Sequence, residues 1–518
     1  MSKCNYWWVT RPKRKLNSIP EILAVFAGAT LEHQWDGSRN LHVQFENDLE
    51  EAGLKRVGSR RDGGGSGGRT YAAWLRSLGL ICEETTTKQV YLTLAGEAII
   101  EGKSPVKVLK KQVIEYQFPS QFSLSVGVDE RFRIKPFRFL LQLLLDDRIN
   151  TLSCDEVGKI VITEAETEKD YEKIVSRIIS YRNYGDDVLG DDFFDKYIPD
   201  VNPDSQYPYQ KLTDIANTMF NWLEYTQLIG RETGVIFIPD ENRTEVANIL
   251  MEKNTFVTNP TDSEFFQRKY GIDPWHKKDT RNLLQTKTVT SRNIDIQRIK
   301  NAMIMLASRK PIKSIDSYVI DYVVETTGTD RFLVEDVLIS SYPHGLVGGF
   351  LANYYEMAFK GTEEAIEFEK ATTDIFKDVF GYEAIHLGQT GSKSAPDILL
   401  LSDAEGYQAI IDNKAYSRYS ITGDHHNRMV HNYLEKISNY SSSTYPIGYF
   451  SYIAGGFASN FDKQIRTEIE ESGISGSGIT VATFIKMVEK SEEEKYTHKQ
   501  LRDIFSCGRE IKLSDIAL

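Results

Sequence analysis

The sequence predicts a multidomain α+β protein, in which a mainly helical N-terminal region with winged-helix features precedes an α/β domain. Its 518 residues are enough for roughly two to four domains, each with its own core. A helix followed by a hairpin pattern occurs twice in the first half of the chain. Near residue 400, two apolar runs flank a short polar break, which is typical of a buried β-hairpin.

The predicted hairpin places charged side chains together at one end of a hydrophobic sheet. Its two apolar runs and the break between them are residues 398–401, 407–411 and 402–406. Because side chains alternate along a strand, Asp412 and Lys414 share a face. If the hairpin closes over its break, Asp397 lies beside Asp412. The sequence therefore predicts that two carboxylates and one amine converge here.

This trio suits the hydrolysis of a phosphodiester. Carboxylates are hard oxygen ligands that can hold Mg²⁺ beside a phosphate, and the metal lowers the pKa of a bound water. An ammonium group next to it can position that water and stabilise developing charge. The alternative interpretation is an exposed Asp and Lys at a strand end.

The same residues resemble the signature of the PD-(D/E)xK nuclease superfamily, and in particular the FokI-type cleavage domain of type IIS restriction enzymes. The strings that carry the resemblance are Phe380-Gly381-Tyr382, His386-Leu387-Gly388, Pro396-Asp397 and Ile411-Asp412-Asn413-Lys414-Ala415-Tyr416-Ser417. The resemblance implies that Asp397 and Asp412 are metal ligands and that Lys414 is the catalytic lysine.

A fourth candidate, Glu369, lies on the helix predicted before the hairpin, over residues 363–380 and ending at Gly381. At about 100° per residue it falls on the same stripe as Thr372, Phe376 and Phe380. A carboxylate on an apolar stripe is costly unless it is paired or bound to metal. Similar nucleases carry an acidic residue here that supports the metal site. Alternatively, Glu369 reaches the surface.

Composition and charge limit the class of protein without deciding it. The chain has a net charge of −12, but residues 1–111 hold 17 Lys and Arg against 12 Asp and Glu. Phosphate contacts depend on such local excess, so nucleic-acid binding is not excluded. The four cysteines show no metal-ligand spacing, and no apolar run of membrane-spanning length is found. We expect a reduced, cytoplasmic prokaryotic protein with no membrane partner.

Basic residues in the first segment are candidates for contacts with DNA. The candidates are Lys13, Arg14, Arg60, Arg61 and Arg69. The last three border the glycine-rich stretch 62–68, where glycines can let the backbone approach a ligand closely. No Lys-Ser or Lys-Thr follows, so this is not a P-loop. A loop that orders on DNA is predicted, and a flexible surface loop is the alternative.

Two similar units are predicted in series. A helix, an apolar step and a strand at 72–94 recur at 220–238, and the matched positions are expected to be core. They are Trp74, Leu75, Leu80 and Ile81 in the first unit and Trp222, Leu223, Leu228 and Ile229 in the second. Such units bind DNA in many proteins and act as protein adaptors in others. The N-terminal two thirds also resembles the recognition half of FokI and AlwI type enzymes.

Four segments follow from this pattern: 1–118 and 119–255 as recognition subdomains, 256–345 as a helical connector and 346–518 as the nuclease domain. The boundary before the last segment rests on Pro343, Gly345 and the Gly348-Gly349 pair. Residues 164–173 and 186–210 are predicted to be exposed loops, and Thr151 to start a helix. Residues 447–453 and 479–484 are predicted to be strands that close the sheet.

Histidines after the hairpin allow two other interpretations, a metal site or an HNH-type nuclease. His425, His426 and His431 lack the spacing of either, and an amphipathic helix with the histidines on its rim is favoured. In FokI-type domains this helix carries an opposite-charge dimer contact. Here the matching positions are Arg428 and Asn432, which puts the same dimer in doubt.

The sequence thus predicts a Mg²⁺-dependent type IIS restriction endonuclease. It would bind a short asymmetric site in double-stranded DNA and cut at a fixed distance outside it. Cutting both strands would need a second copy of the chain or a partner subunit, and the resemblance implies a companion methyltransferase. Two alternatives stay open: a strand-specific nicking enzyme or one subunit of a heterodimeric nuclease, and a catalytically silent DNA-binding protein.

Overall fold

The computed structural model describes residues 4–31, 33–58, 60, 62–83, 87–120, 127–129, 131–232, 234–254, 256–257, 291–343, 345–359, 365–388, 395–491 and 494–516. The chain divides into two compact units. The first comprises Met1–Met305 with Asp316–Ser341, and the second comprises Leu306–Ile315 with Tyr342–Leu518. The finer division of the first unit into subdomains stays a prediction.

The first unit is mainly helical, and five short strands lie in its described residues. Its α-helices are Ile19–Thr30, Arg39–Glu51, Ser66–Ser77, Leu94–Ile100, Pro105–Glu115, Pro136–Leu145, Cys154–Glu156, Ile162–Glu164, Tyr171–Tyr184, Phe193–Tyr197, Gln210–Tyr225, Arg243–Met251, Ser291–Ala307, Ser317–Thr327 and Arg331–Ser341. Its strands are β1 (Ile81–Glu83), β2 (Val90–Leu92), β3 (Thr151–Ser153), β4 (Gly230–Glu232) and β5 (Val235–Phe237). A π-helical turn, Val157–Val161, joins two of the short helices.

Both predicted helix-and-hairpin repeats are present in the first unit. In the first, the helix Ser66–Ser77 is followed by the antiparallel pair β1–β2, and a bridge joins Gln34 to Gln89. In the second, the helix Gln210–Tyr225 is followed by the antiparallel pair β4–β5, and β3 adds to β5 as a third strand. Each repeat thus has a helix, a hairpin and an earlier segment that pairs with the last strand of the hairpin.

The matched apolar positions are core residues, as predicted. All eight have no exposed surface: Trp74, Leu75, Leu80, Ile81, Trp222, Leu223, Leu228 and Ile229. The rings of Trp74 and Trp222 lie 6.4 Å apart between centroids. Trp222 also stacks on Phe137 at 5.5 Å and meets Tyr116 edge-on at 5.7 Å. The two repeats therefore share one aromatic core.

The glycine-rich stretch is only partly a loop, so the prediction is wrong for Ser66 and the residues after it. Ser66–Ser77 is one helix, and its start packs closely against the helix Arg39–Glu51. A Cβ at Gly65 would lie 2.6 Å from the backbone of His42, and one at Gly68 would collide with the His42 carbonyl oxygen. Both glycines are thus required for contact between helices.

Three other predictions in the first unit need correction. Thr151 begins strand β3, and the helix starts at Cys154, where Ser153 and Glu156 form a capping box. Residues 164–173 are not a loop: they lead through a 3₁₀ turn into the helix Tyr171–Tyr184, whose Ile174 and Ile178 are buried. Within 186–210, burial of Phe193 and Tyr197 anchors a short helix, whereas residues 199–207 form turns and bends that are mostly exposed, as predicted.

The second unit is an α/β layer structure around one mixed sheet. Its helices are Gly348–Met357, Ala365–Asp374, Gly423–Asn427, Phe461–Ser472, Val481–Ser491 and His498–Phe505, with π-helical turns Ile375–Val379 and Arg428–Leu434. Its strands are β6 (Glu383–His386), β7 (Ile398–Ser402), β8 (Tyr407–Lys414), β9 (Ile447–Ala454), β10 (Gly476–Thr480) and β11 (Glu510–Ile511).

The sheet has the spatial order β11-β10-β9-β8-β7-β6. Strands β6, β7 and β8 are antiparallel neighbours, whereas β8 to β11 run parallel. Alternate side chains of β8 enter different cores: Ile411 joins the core that contains Phe376 and Phe484, and Ile410 joins the one that contains Met429 and Ile465. Helices therefore cover both faces, and β8 is central.

The predicted strand at 479–484 is wrong after Thr480. Strand β10 ends there and the helix Val481–Ser491 begins, because the Thr480 hydroxyl accepts a hydrogen bond from the Thr483 N–H at 3.2 Å. The predicted strand at 447–453 is present as β9. Of the helices described in either unit, none combines the length and apolar character needed to cross a bilayer.

Candidate active site

The predicted hairpin is formed by β7 and β8. Their register pairs Ile398 with Ile411 and Ser402 with Tyr407, so the turn closes over the predicted polar break. Asp397 immediately precedes β7, and Asp412 lies one residue beyond the Ile398–Ile411 pair. The hairpin thereby brings Asp397 and Asp412 together, as the sequence predicts.

Hydrogen bonds fix the positions of these side chains. Asp397 Oδ2 accepts the Asn413 N–H at 2.7 Å, and the Asp397 carbonyl oxygen accepts the Leu387 N–H at 2.8 Å. Lys414 Nζ lies 2.6 Å from Asp412 Oδ2. The side chains of Asp412 and Lys414 are 6% and 14% exposed, so this ion pair is largely shielded from solvent. All three predicted catalytic residues therefore meet at one place.

The negative charges of Asp397 and Asp412 repel each other. Burial raises the pKa of Asp397 well above its ordinary value, and the charge of Asp412 raises it further. Burial opposes the Lys414 ammonium, but Asp412 and Asp397 outweigh it and raise the pKa of Lys414. One ammonium thus faces two carboxyl groups, and ionising both of them leaves the site with an excess of negative charge.

Glu369 lies beside this group but has a different partner. Its Oε2 is 2.8 Å from His386 Nε2, with side chains that are 15% and 14% exposed. Its charge contributes to the raised pKa of Asp397. Thr372 and Phe376, which share its predicted stripe, are fully buried, whereas Glu369 lies at the edge of the core. Its role as a metal ligand stays a prediction.

Across the described ranges, no three His, Cys, Asp or Glu side chains are grouped so that they could hold a metal ion. The Asp397 and Asp412 carboxylates are nevertheless oxygen donors of the kind that Mg²⁺ takes, and one or two protein carboxylates are its usual complement beside a phosphate. Their mutual repulsion is also what a bound cation would relieve. The chemistry of the donors therefore fits Mg²⁺, with two protein ligands.

Sequence reasoning missed two residues near the site. His386, at the end of β6, forms a hydrogen bond with Glu369. The His-Leu-Gly string in the sequence could have pointed to it. Glu468 is fully buried, its Oε1 accepts a hydrogen bond from Tyr452 Oη at 3.0 Å, and burial raises its pKa to about 8. It follows Phe461 and Ile465 on one helical stripe, which the sequence could have revealed.

The histidines beyond the hairpin pair with neighbours in the same unit. His425 Nδ1 lies 3.0 Å from Tyr419 Oη, and burial lowers its pKa. His426 Nε2 and His431 Nε2 approach the two oxygens of Glu471 at 2.8 and 3.2 Å. The predicted amphipathic helix is present over these residues and continues as a π-helix, Arg428–Leu434.

The candidate DNA-contacting residues fall into two places. Arg60 donates to Glu50 at 2.8 Å and to Asn47 at 2.7 Å, and Arg69 donates to the Gly64 carbonyl oxygen at 2.6 Å. Arg61 lies outside the described residues. Lys13 and Arg14 instead line a cavity of about 610 Å³ in the first unit. Lys13 and Arg14 therefore line the cavity, whereas Arg60 and Arg69 are not part of it.

Comparisons with known proteins match both halves of the chain. The family model described as AlwI restriction endonuclease matches residues 76–336, and the one described as FokI, cleavage domain, matches residues 328–512. The type II restriction enzyme StsI of Streptococcus sanguinis is 25% identical over 150 residues. That match covers 27% of this chain and 24% of the enzyme, so it spans about a quarter of that relative.

Solved structures show weaker likenesses. Restriction endonuclease FokI is 14% identical with a TM-score of 0.29, and its structure bound to DNA has a TM-score of 0.28; each covers 99% of this chain and 100% of that chain. The BpuJ1 endonuclease binding domain, in a complex with modified DNA, is 17% identical over 52% of this chain and 96% of its own, with a TM-score of 0.35. At these values the likeness carries no functional conclusion.

Proposed function

The chain belongs to the AlwI restriction endonuclease family, and from this premise we propose that it is a type IIS restriction endonuclease. The N-terminal unit binds a short asymmetric site in double-stranded DNA. The C-terminal unit, a PD-(D/E)xK nuclease domain, hydrolyses phosphodiester bonds at a fixed distance outside that site with Mg²⁺. The protein acts in the cytoplasm of a prokaryotic cell.

The observation that carries the proposal is the convergence of Asp397, Asp412 and Lys414 at the end of the β7–β8 hairpin. An excess of negative charge in a shielded place is costly to a fold and useful to a site that binds a cation. Asp397 and Asp412 would hold Mg²⁺, with Glu369 at the edge. When bound, the ion would act as a Lewis acid on a phosphoryl oxygen and would lower the pKa of a bound water.

Lys414 is the residue of the protein that positions the reacting groups. Lys414 holds its ammonium beside Asp412, where it donates hydrogen bonds to a phosphoryl oxygen and to the attacking water. The reaction forms one P–O bond to the water oxygen and breaks one P–O bond of the backbone. The departing oxygen takes up a proton, and the water loses one. The shielding of Lys414 strengthens each of these electrostatic contacts.

In the N-terminal unit, the two helix-and-hairpin repeats serve as winged-helix modules that hold DNA. Lys13 and Arg14 contact phosphates from the cavity wall. The other predicted basic contacts, Arg60, Arg61 and Arg69, also bind DNA. The carboxylate partner of Arg60, Glu50, would have to be exchanged for a phosphate on binding. The four segments 1–118, 119–255, 256–345 and 346–518 are the proposed domains.

One active site cuts one strand, so double-strand cleavage requires a second copy of the chain or a partner subunit. Arg428 pairs with Asp424 of its own helix at 2.7 Å, and Asn432 accepts from Lys436 at 3.1 Å. With a cation at one position and a neutral amide at the other, these residues do not form the opposite-charge pair that FokI-type dimers use. This observation favours, as a second candidate, a strand-specific nicking enzyme or one subunit of a heterodimer. The intact Lys414–Asp412 pair counts against a silent protein.

The test is digestion of a sequenced, unmethylated plasmid with Mg²⁺, with both strand ends mapped. Asp412→Asn is compared with Asp403→Asn, a control on the exposed turn of the same hairpin. We expect wild type and the control to cut at a constant offset from one short motif, and Asp412→Asn to bind that motif without cutting. Cleavage by Asp412→Asn at the wild-type rate would contradict the mechanism. Cuts confined to one strand would establish the nicking enzyme.

A further inference from the structure

A cavity of about 610 Å³ in the N-terminal unit has an unusual lining for a chain of net charge −12. Its walls are Lys13, Arg14, Lys15, Asn17, Ser18, Asn217, Asn221 and Arg231. Four of these residues are cationic, three are amides and one is a hydroxyl; no carboxylate belongs to this described lining. Such a surface suits a ligand rich in negative charge and in hydrogen-bond acceptors.

Asn217, Asn221 and Arg231 form one connected cluster in this wall. The two asparagines lie four residues apart on the helix Gln210–Tyr225, so they share a helical face, and Arg231 belongs to the hairpin strand β4. The guanidinium donates to Asn221 Oδ1 at 3.0 Å and to Asn217 Oδ1 at 2.6 Å. It also lies over the ring of Phe220, 5.8 Å from the centroid. The cluster is thus fixed before any ligand arrives.

The chemistry of the guanidinium decides which way the amides point. Arg can only donate hydrogen bonds, so each asparagine must turn its oxygen toward Arg231 and its Nδ2 away. Among the described residues, no acceptor is found for either Nδ2, and neither belongs to the buried polar atoms left without a partner. The cluster therefore turns each amide Nδ2 away from Arg231 and offers hydrogen-bond donors to the cavity.

A cationic rim is held next to this donor cluster. Arg11 donates to the Asp214 carbonyl oxygen at 2.7 Å and to Thr218 Oγ1 at 3.0 Å, and Arg14 pairs with the Asp214 carboxylate at 2.9 Å. These contacts tie the N-terminal segment to the helix Gln210–Tyr225 and place Lys13 at the cavity. Phosphates of a duplex can lie on this rim while a base edge faces the donors.

We propose that Asn217, Asn221 and Arg231 determine specificity by reading guanine in the major groove of the recognition site. Guanine presents two acceptors there, N7 and O6, whereas adenine and cytosine present a donor and thymine presents a methyl group. The outward donors of this cluster can pair with both acceptors of guanine, whereas each of the other base edges offers them at most one acceptor. This inference rests on the proposed function, because it names residues that choose the site which that function requires.

The substitution Asn217→Asp tests the inference with little change of shape. Aspartate keeps an acceptor facing Arg231, but it replaces the outward donor with a second acceptor. Wild type and variant are used to select from a pool of double-stranded oligonucleotides with a randomised segment, without Mg²⁺. Affinities are then measured for the selected duplex and for each single base-pair change. Asn202→Asp makes the same charge change on an exposed loop of the same unit and is the control.

We expect Asn217→Asp to lose the preference for guanine at one position by about 10- to 100-fold, while the other positions keep theirs. Asn202→Asp should keep the whole motif. Arg231→Lys, which breaks the fork that orients both amides, should lose the same guanine preference. Equal melting temperatures of the variants and wild type ensure that folding is not the cause.

Three outcomes would overturn the inference alone. Asn217→Asp could weaken all duplexes equally, which would mean that the cluster contacts phosphates, or it could leave the wild-type motif and affinity unchanged. If wild type itself selects no motif, the proposed function fails together with the inference. A wild-type motif that includes no guanine would also overturn the inference and leave the proposed function intact.

Discussion

Lys414 Nζ and Asp412 Oδ2 lie 2.6 Å apart, two residues from each other on the central strand β8. Both side chains are largely buried, and Asp397 adds a second carboxylate to the pair. The ammonium is therefore the counter-charge within the protein for a site with two acidic groups. This balance has separate consequences for activity and for stability.

Lys414→Met removes the ammonium and keeps a side chain of similar length. We expect the rate of DNA cleavage to fall by at least about 100-fold, because a donor at the developing charge is lost. The free energy of unfolding should also fall by about 3 kcal/mol, because two shielded carboxylates lose their partner. Single-turnover cleavage and urea unfolding measure the two effects. Wild-type cleavage by the variant would exclude a catalytic role for Lys414.

Asp397→Asn should abolish cleavage and yet stabilise the fold. The raised pKa of Asp397 means that its ionised form costs free energy in the folded state, and this cost grows as the pH rises above the ordinary pKa of the carboxyl group. Asparagine carries no charge and still accepts the Asn413 N–H. At about pH 8 we expect the midpoint of urea unfolding to rise by an amount worth about 1 kcal/mol. A lower midpoint would contradict this account.

His386→Ala should raise the concentration of Mg²⁺ needed for half-maximal cleavage by about 10-fold, because Glu369 loses the partner that orients it. His386→Gln keeps an amide that can donate to Glu369, and it should retain most of the wild-type requirement. The measurement is cleavage rate against Mg²⁺ concentration, with binding of Mn²⁺ in the absence of DNA as a second readout. A lower maximal rate at an unchanged metal requirement would show that Glu369 acts independently of the metal.

Glu468→Gln should change how stability depends on pH. Burial raises the pKa of Glu468 to about 8, so the folded state keeps a proton that the unfolded state releases above its ordinary pKa of 4.5. Relative to glutamine, the stabilisation from this proton is fully present below about pH 4.5 and is lost as the pH rises through 8.

The slope for one such proton is up to about 1.4 kcal/mol per pH unit within that window. Urea unfolding of wild type and Glu468→Gln at about pH 5 and about pH 8 measures it. We expect wild type to lose more stability than the variant between the two values. Equal losses would mean that Glu468 ionises normally, despite its contact with Tyr452.

Gly68→Ala should destabilise the first unit by about 1 to 3 kcal/mol, because the added Cβ meets the His42 carbonyl oxygen at the contact between two helices. Gly63→Ala is the matched control in the same stretch, since the nearest atom to its Cβ is 3.9 Å away. Thermal unfolding of both variants and of wild type measures the change in stability. Equal stability would show that the helices can separate without cost.

The sequence alone determined the elements with a strong local pattern. The β7–β8 hairpin, the position of Asp397 beside Asp412 and the two helix-and-hairpin repeats all follow from side-chain alternation and apolar spacing. These features depend on residues close together in the chain. The boundary at Thr480 could not be predicted, because the apolar residues of the following helix also fit a strand and a single threonine cap ends β10.

Only the tertiary structure decided which charged groups meet. Arg60, a predicted DNA contact, is paired with Glu50, whereas Asn217 and Arg231 complete a cavity wall with Lys13. Glu369 meets His386 across 17 residues, and Trp74 meets Trp222 across 148. Such pairs depend on how helices and strands pack, and a side chain's spacing along the chain does not specify a distant partner. Periodicity fixes the face on which a residue lies, and packing fixes what that face meets.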